Sequence, residues 1–342
     1  MADLGPLGVV GAGLMGSEIA YLGAAAGAQV RLHDVDDAAV QAGLARAAGI
    51  AERRTAKGRM TEEEAGAIVE RLRPASGIAG LGKCVVVIEA VSEQMDVKSA
   101  VFWDLDRAVA KDALIASNTS GLSITDLGRI TRRPERVVGM HFFNPASVMP
   151  LVEVIEGDDT SAATMDDAVA LASALGKTPV RVRECPGFLV NRVLVRAMVS
   201  AYRVAEDHHA APGAVDAAVV ARGPAPMGPF ALGDLVGLDT LLSISQYLEQ
   251  AFGDTFAPGR RLSGLVADGA LGAKTGRGFD PDADAPIDGP AELAATAYYD
   301  AALTEARACD SEAIAATSDI DLAMRLGAGW EVGPLEALGG AS

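Results

Sequence analysis

A glycine-rich turn near the start of the chain constrains the fold more than any other feature. Gly11, Gly13 and Gly16 form a GxGxxG motif that directly follows the apolar segment 7–10 and opens a second apolar stretch. In a strand–turn–helix unit the first glycine permits the tight turn, the second lets a pyrophosphate approach the backbone, and the third lets the helix pack on the strand. The helix N-terminus then attracts phosphate groups. The motif predicts a dinucleotide site whose contacts are Gly11, Gly13, Leu14, Met15 and Gly16.

An acidic residue at the end of the second predicted strand indicates which dinucleotide is bound. Asp34 lies 23 residues after Gly11, where its carboxylate can accept hydrogen bonds from both hydroxyls of the adenosine ribose. The 2'-phosphate of NADP would need a basic residue just after this strand, but Val35, Asp36 and Asp37 follow. The predicted cofactor is therefore NAD.

The fold class follows from the order of the elements. Up to residue 184, short apolar segments alternate with helix-like segments, which is typical of βα units on a mainly parallel sheet. Strands are predicted at residues 7–10, 29–33, 85–89, 113–117, 137–141, 151–155 and 178–182. Helices are predicted at 14–26 and 37–57, and a third begins at Thr61, where Glu64 completes a capping box. After Pro186 only helices are expected, so the prediction is an α/β fold: a Rossmann-like doubly wound sheet followed by an all-α C-terminal part.

An internal repeat divides the helical part. Its first copy is Val215, Asp216, Ala218, Gly228 and Pro229, and the second, 105 positions later, is Ile320, Asp321, Ala323, Gly333 and Pro334. In each copy an Asp near a helix start precedes a Gly-Pro pair by twelve and thirteen residues. We therefore expect three parts: an NAD-binding domain at 1–184, a helical domain at 185–282, and a truncated second copy of the helical domain at 283–342.

Charge and cysteine content exclude several classes of function. A formal net charge of -17 disfavours nucleic acid and anionic membranes as partners, because phosphate binding relies on Lys and Arg. Cys84, Cys185 and Cys309 are far apart in sequence, so neither a disulfide framework nor a metal site is predicted. The chain shows neither a secretory leader nor an apolar stretch of membrane-spanning length, so a cytoplasmic protein is expected.

Short motifs along residues 5–280 resemble the 3-hydroxyacyl-CoA dehydrogenase family, in order and in spacing. They are Ser117-Asn118-Thr119-Ser120, His141-Phe142-Phe143-Asn144-Pro145, Leu151-Val152-Glu153-Val154-Ile155, Pro186-Gly187-Phe188-Leu189-Val190-Asn191-Arg192, Met227-Gly228-Pro229-Phe230, Val236-Gly237-Leu238-Asp239 and Lys274-Thr275-Gly276-Arg277-Gly278-Phe279. The resemblance implies oxidation of an L-3-hydroxyacyl-CoA to the 3-oxoacyl-CoA with NAD, and the expected substrates are short chains such as 3-hydroxybutyryl-CoA. It also implies a homodimer formed through the helical domains.

His141 and Glu153 form the predicted catalytic pair. Oxidation of a secondary alcohol needs a base for the hydroxyl proton, and imidazole titrates near neutrality, so it serves both directions of the reaction. His141 ends a predicted strand, and Glu153 lies on the next one, close enough in a hairpin-like arrangement to hold one ring nitrogen. A carboxylate there fixes the tautomer and stabilises the imidazolium.

The resemblance assigns the remaining site residues. Ser120 and Asn191 match the family's substrate-contacting pair, which donates hydrogen bonds to the 3-oxygen or the thioester carbonyl and completes the predicted catalytic set. Ser120 also belongs to the expected cofactor site. Further cofactor contacts are expected from Glu93, Lys98 and Asn144 near the nicotinamide ribose, and from Lys274 in a cofactor-side loop.

A basic cluster provides the predicted site for the phosphates of the CoA substrate. Arg53, Arg54, Lys57 and Arg59 crowd into seven positions at the end of the second predicted helix. Lys57 also matches a family position that touches CoA. We expect Arg54 and Lys57 to bind the nucleotide end, and Ser120 and Asn191 to bind the acyl end.

Two departures from the family pattern and two other functions stay open. Gly121 replaces a second small hydroxyl residue, and Asp280 replaces an aromatic residue before a tail of some sixty residues, which either covers the dimer surface or extends it. One alternative is a dehydrogenase of a free hydroxy acid, such as the β-hydroxyacid, gulonate or carnitine type; the other is a non-catalytic NAD-binding sensor. Acyl-chain length, a dicarboxylic acyl-CoA substrate and reaction direction are not determined by these residues.

Overall fold

The computed structural model describes residues 4–282 and 284–339, and the chain divides between Glu184 and Cys185 into two compact units. The first unit contains one eight-stranded sheet with the strand order β3-β2-β1-β4-β5-β6-β7-β8. Its strands are β1 (Leu7–Val10), β2 (Val30–His33), β3 (Leu72–Pro74), β4 (Val86–Glu89), β5 (Leu114–Ser117), β6 (Val137–Phe142), β7 (Leu151–Glu156) and β8 (Thr178–Arg183).

All neighbouring strands are parallel except β6 and β7, which pair antiparallel. The helices between the strands are α1 (Leu14–Ala25), α2 (Asp37–Ala56), α3 (Glu62–Arg71), α4 (Met95–Ala108), α5 (Ile124–Ile130) and α6 (Ala162–Ala174). Every residue of β1, β5 and β6 is buried, which is typical of parallel strands covered on both faces. The predicted α/β fold class is confirmed.

The element predictions hold to within a few residues, with one omission. Each of the seven predicted strands is present, and Thr61 and Glu64 form the predicted capping box of α3. The edge strand β3 was missed because it is three residues long, with only Leu72 buried and Pro74 at its end. Such a segment shows neither an apolar run nor an alternating pattern, which are the signals of a strand.

The second unit is built from helices. They are α7 (Val190–Asp207), α8 (Pro212–Arg222), α9 (Pro229–Val236), α10 (Leu238–Phe252), α11 (Arg260–Ala267), α12 (Gly289–Ser311), α13 (Thr317–Gly327) and α14 (Pro334–Gly339). Helix α12, which lies in the tail, packs along α7, and the buried faces of the two helices form the centre of this unit. The all-α C-terminal part is therefore confirmed, and the described tail belongs to the same compact unit as α7 to α11.

The first copy of the sequence repeat is a helix-capping device. The Asp216 carboxylate accepts hydrogen bonds from the backbone N–H groups of Phe230 at 2.9 Å and Ala231 at 2.8 Å, at the start of α9. A Cβ atom on Gly228 would lie 2.3 Å from Asp216, so only glycine lets the carboxylate come this close. Pro229 opens the helix at a position where its missing N–H costs nothing.

The second copy repeats the same chemistry at the start of α14. Asp321 accepts hydrogen bonds from Leu335 N at 2.8 Å and Glu336 N at 3.2 Å. A Cβ atom on Gly333 would lie 2.1 Å from the Asp321 side chain. The order α12–α13–α14 thus repeats α7–α8–α9 with the same cap, which supports a truncated duplication.

Candidate active site

The glycine turn has the geometry that a dinucleotide site requires. Gly11 has φ +98°, and a Cβ atom there would lie 2.4 Å from the carbonyl oxygen of Ala90. On Gly16 a Cβ atom would lie 1.8 Å from Gly11 O, whereas on Gly13 it would meet nothing within 4 Å. No side chain caps the first turn of α1 among the residues that the structure describes. The turn therefore offers helix N–H groups and open space to a pyrophosphate.

Asp34, which directly follows the neighbouring strand β2, is hydrogen-bonded to the glycine turn. Its Oδ2 accepts a hydrogen bond from Ala12 N at 2.7 Å, and its Oδ1 accepts one from Val35 N at 2.8 Å. Each carboxylate oxygen retains a second lone pair, so the group can still accept from ribose hydroxyls. Asp36 caps α2 by accepting from Ala38 N at 2.9 Å, which keeps a second negative charge close to the ribose position. These residues fit NAD.

Helix α2 supports the turn through a residue that the sequence pattern did not indicate. Arg46 donates a hydrogen bond to Ser17 Oγ at 3.2 Å and another to the carbonyl oxygen of Ala12. Its role depends on the packing of α2 on α1, which a local sequence window does not show.

His141 and Glu153 form a buried pair on adjacent strands. They are directly opposite in the antiparallel register of β6 and β7, and His141 Nδ1 lies 2.7 Å from Glu153 Oε2. His141 is 5 % exposed and Glu153 is fully buried. The Phe143 ring packs beside the imidazole, with ring centroids 4.6 Å apart. The carboxylate therefore holds the ring in one orientation and can stabilise its cationic form.

A network of hydrogen bonds connects this pair to the ends of β4 and β5. Phe142 N, next to His141, donates to Asn118 Oδ1 at 2.9 Å, and Asn118 N donates to the carbonyl oxygen of Glu89 at 2.8 Å. Ser117 Oγ donates to Glu89 Oε2 at 2.7 Å. The residues that end β4, β5 and β6 thus form one hydrogen-bonded layer at the carboxyl edge of the sheet, where ligands of such folds bind.

Ser120 is held by Glu93. Glu93 Oε1 accepts hydrogen bonds from Ser120 N at 2.8 Å and from Thr119 Oγ1 at 2.5 Å. The Glu93 side chain is 45 % exposed, so the same carboxylate faces solvent while it fixes the loop after β5. Glu93 and Ser120 are thereby brought together, and their contacts with the cofactor stay predictions.

Lys98 is more deeply buried than a side chain that contacts the nicotinamide ribose needs to be. It is 1 % exposed, and its ammonium group lies 2.7 Å from Glu89 Oε1, 3.3 Å from Glu93 Oε2 and 3.4 Å from the carbonyl oxygen of Val91. Two of these contacts are hydrogen bonds, to Glu89 and to Val91, and the third is an ion pair with Glu93. In this structure Lys98 therefore holds Glu93 in place, and a direct contact with the nicotinamide ribose stays a prediction.

Glu89 is the buried centre of this network and was missed in the sequence. Its Oε1 also accepts from Val91 N at 2.6 Å, which fixes the 90–91 backbone against which Gly11 packs. The sequence did carry a signal for Glu89, because it is a carboxylate at the end of a buried apolar strand. Such a residue is rarely buried without a specific partner.

We expect Glu89→Gln to weaken NADH binding about tenfold, which corresponds to about 1.4 kcal/mol. The substitution leaves the Lys98 charge buried with one carboxylate fewer and loosens the backbone beside Gly11. Fluorescence titration with NADH measures the change. The matched control is Asp106→Asn, which removes the buried carboxylate that pairs with Arg133 at 3.0 Å elsewhere in the first unit. An equal loss of NADH affinity in both variants would contradict a local role for Glu89.

Asn144 is exposed in the loop that follows β6. This loop is held on both sides: Glu18 Oε2 accepts from Ser147 N at 2.7 Å, and Lys177 Nζ donates to Met149 O at 2.9 Å. The Asn144–Pro145 peptide bond is cis. The position of Asn144 is therefore set by α1 and by the start of β8, and its contact with the cofactor stays a prediction.

Two predicted site residues belong to the helical unit. Asn191 is the second residue of α7 and is half-buried. Lys274 Nζ lies 2.7 Å from Asp239 Oδ1 and 3.0 Å from Thr240 Oγ1. Both residues therefore have defined positions within their own unit, and their contacts with ligands stay predictions.

The basic cluster lies at the C-terminal end of α2 and just beyond it. Arg53, Lys57 and Arg59 are exposed, whereas Arg54 is half-buried and its Nε atom is buried without a hydrogen-bond partner in the described structure. The exposed members present their charges to solvent, as a phosphate site requires.

No group of three or more His, Cys, Asp or Glu side chains suited to a metal ion occurs among the described residues. Within the same residues, no helix combines the length and apolar character that crossing a membrane demands.

Comparison with known proteins places this geometry in one class, the NAD-dependent oxidoreductases. The model of the 3-hydroxyacyl-CoA dehydrogenase NAD-binding domain matches residues 6–185, and that of the C-terminal domain of the same family matches residues 187–280. The chain belongs to the 3-hydroxyacyl-CoA dehydrogenase family and is an NAD-dependent 3-hydroxyacyl-CoA dehydrogenase.

Some similar proteins align with about four fifths of this chain, and others align with nearly all of it. A probable 3-hydroxybutyryl-CoA dehydrogenase from Bacillus subtilis is 43% identical over 272 residues, which cover 79% of this chain and 95% of that protein. The structure of (S)-3-hydroxybutyryl-CoA dehydrogenase from Ralstonia eutropha has 40% sequence identity to this chain and a TM-score of 0.78. The match covers 81% of this chain and 98% of the Ralstonia chain. The structure of 3-hydroxybutyryl-CoA dehydrogenase from Escherichia coli K12 has 28% sequence identity to this chain and a TM-score of 0.89. This match covers 98% of this chain and 91% of the Escherichia coli chain. The match to the last structure therefore takes in most of the tail.

Proposed function

We propose that this enzyme interconverts L-3-hydroxybutyryl-CoA and acetoacetyl-CoA, with His141 and Glu153 as the proton-transfer pair. The observation that carries the assignment of the pair is the 2.7 Å contact between the buried Glu153 carboxylate and His141 Nδ1. The short acyl chain is supported by similar proteins named 3-hydroxybutyryl-CoA dehydrogenases.

The proposed mechanism assigns one task to each residue. With Glu153 at Nδ1, we assign proton exchange with the 3-hydroxyl group to Nε2 of His141, and the carboxylate stabilises the imidazolium that forms. The glycine turn and Asp34 would hold NAD, which would supply the acceptor for the hydride from the carbinol carbon. Ser120 and Asn191 donate hydrogen bonds to the 3-oxygen or the thioester carbonyl and so orient the substrate.

The direct test is the absorbance of NADH at 340 nm in the presence of acetoacetyl-CoA and, separately, of free acetoacetate. We expect rapid oxidation of NADH with the thioester and a much slower reaction with the free acid. Equal rates would contradict a site that recognises the CoA thioester, and no reaction with acetoacetyl-CoA would contradict the four-carbon acyl chain.

We further propose that the basic cluster at the end of α2 binds the phosphates of CoA. Lys57→Ala with Arg54→Ala should raise the KM for acetoacetyl-CoA roughly 30-fold and leave NADH affinity unchanged, because each of the two lost charge contacts with phosphate contributes about 1 kcal/mol. The rise should shrink at high salt as the interaction is screened. The matched control, Lys83→Ala with Lys111→Ala, removes the same charge from exposed positions of the first unit. An unchanged KM in the first variant would contradict the assignment.

The homodimer implied by the family resemblance stays a prediction, as does cytoplasmic localisation. Within the helical unit the chain's own α12 covers α7, so a dimer through this unit would have to use another surface. Exposed apolar side chains are found at Met227, Leu235 and Val236, around α9. These residues are the first candidates for a contact with a second copy.

A further inference from the structure

Arg192 is the most deeply buried charged side chain of the helical unit that the structure describes. It is 2 % exposed and lies in the first turn of α7, next to Asn191. Its guanidinium also stacks on the Phe252 ring, 4.3 Å from the ring centroid. The proposed mechanism does not use this side chain, so its burial needs another explanation.

Both acidic partners of Arg192 come from the tail. Arg192 Nε donates to Glu305 Oε1 at 2.6 Å, and its two Nη atoms donate to the two carboxylate oxygens of Glu312 at 2.7 and 2.8 Å. Glu305 lies two turns before Glu312, so both face α7 from the C-terminal part of α12 and its cap. Neither glutamate is within residues 187–280, which the C-terminal domain model of the family matches.

The pair of carboxylates keeps the guanidinium charged and oriented. Burial by itself lowers the pKa of Arg192, but hydrogen bonds to Glu312 and Glu305 raise it overall. A bidentate fork such as that to Glu312 fixes the plane of the guanidinium as well as its position.

The backbone that leads into α7 needs such support. Gly187 has φ +73°, and the following residue, Phe188, has φ +53° while fully buried. A bulky residue in the left-handed region is strained and persists only where its surroundings hold it. The contacts of Arg192 fix the helical turn that follows this segment and carries Asn191.

We propose that the tail positions the substrate-binding residue Asn191 by holding Arg192 through Glu305 and Glu312. Arg192 is a positioning residue in this account, and the two glutamates act through it. The inference rests on the proposed function, because it takes Asn191 as a contact of the acyl-CoA. It gives the segment after residue 280 a role in substrate binding.

The test is the double variant Glu305→Gln/Glu312→Gln in the full chain, assayed with NADH and acetoacetyl-CoA. We expect the KM for acetoacetyl-CoA to rise at least tenfold, while the dissociation constant of NADH stays within twofold of the wild-type value. Should this variant not fold, Glu312→Gln alone serves, because the Glu312 side chain is 45 % exposed and its loss is milder. Arg192→Lys, which keeps the charge but loses the fork, should give an intermediate KM.

The matched control is Glu292→Gln, which removes the ion pair with Arg222 at 3.2 Å near the other end of α12. This variant should keep the wild-type KM, because its contact is with α8 and not with the first turn of α7. The proposal is overturned by a folded Glu305→Gln/Glu312→Gln enzyme with wild-type KM, or by an equal rise of KM in Glu292→Gln. Failure of the proposed function is distinguishable, because the wild-type enzyme would then not reduce acetoacetyl-CoA.

Discussion

Replacement of His141 by Ala should lower kcat for the reduction of acetoacetyl-CoA by about 10³-fold, within the range that general acid–base catalysis contributes. The variant has no imidazole to donate the proton to the forming alcohol, and Glu153, fully buried on the adjacent strand, loses its contact with His141 Nδ1. NADH affinity should stay within about twofold, because the glycine turn and Asp34 are unchanged. Stopped-flow absorbance at 340 nm measures the rate, and fluorescence titration measures NADH binding.

The matched control removes a different imidazole. His208 is exposed at the C-terminal end of α7, and His208→Ala should retain wild-type kcat. A His141→Ala enzyme that keeps more than about a tenth of the wild-type kcat would show that proton transfer depends on another group, since a general base contributes at least about 10²-fold.

The second large effect is expected for Gly16→Ala. The new Cβ atom would lie 1.8 Å from Gly11 O, so either α1 or the turn has to move. Because Gly11 O is a backbone atom and a Cβ atom has a fixed position on its own backbone, no side-chain rotation relieves the clash. We expect NADH affinity to fall roughly 100-fold, which corresponds to about 2.7 kcal/mol, and the midpoint of thermal unfolding to fall as well.

Gly66→Ala is the control for Gly16→Ala. Gly66 lies in α3, and a Cβ atom there meets nothing within 4 Å. Alanine favours a helix over glycine by up to about 1 kcal/mol, so this variant should be slightly more stable with unchanged NADH affinity. Comparable NADH binding in both variants would mean that the close approach of Gly16 to the turn is not needed for the cofactor.

The fold was predictable where each element carries its own signal. Most of the strands that supply site residues are buried apolar runs, and the strand ends could be placed from the sequence to within one residue. The helix cap at Thr61 follows from two residues three positions apart. Strand β3 has no such signal, because its pairing with β2 depends on a neighbour rather than on its own residues.

The site was predictable to the extent that it is built from local motifs. The glycine turn, Asp34 and the pairing of His141 with Glu153 follow from strand ends and spacing. Glu89 and Arg46 were missed because their roles depend on which strands and helices pack together. Likewise, Glu305 and Glu312 lie more than 110 positions from Arg192, and no spacing rule connects residues that far apart.

A double-mutant cycle on kcat shows whether His141 and Glu153 act as one unit in proton transfer. We expect Glu153→Gln to lower kcat about 10²-fold, and Glu153→Gln combined with His141→Ala to be no slower than His141→Ala alone. A double variant slower by the product of the two single effects, about 10⁵-fold, would show that His141 and Glu153 act independently, because independent groups multiply their effects on kcat.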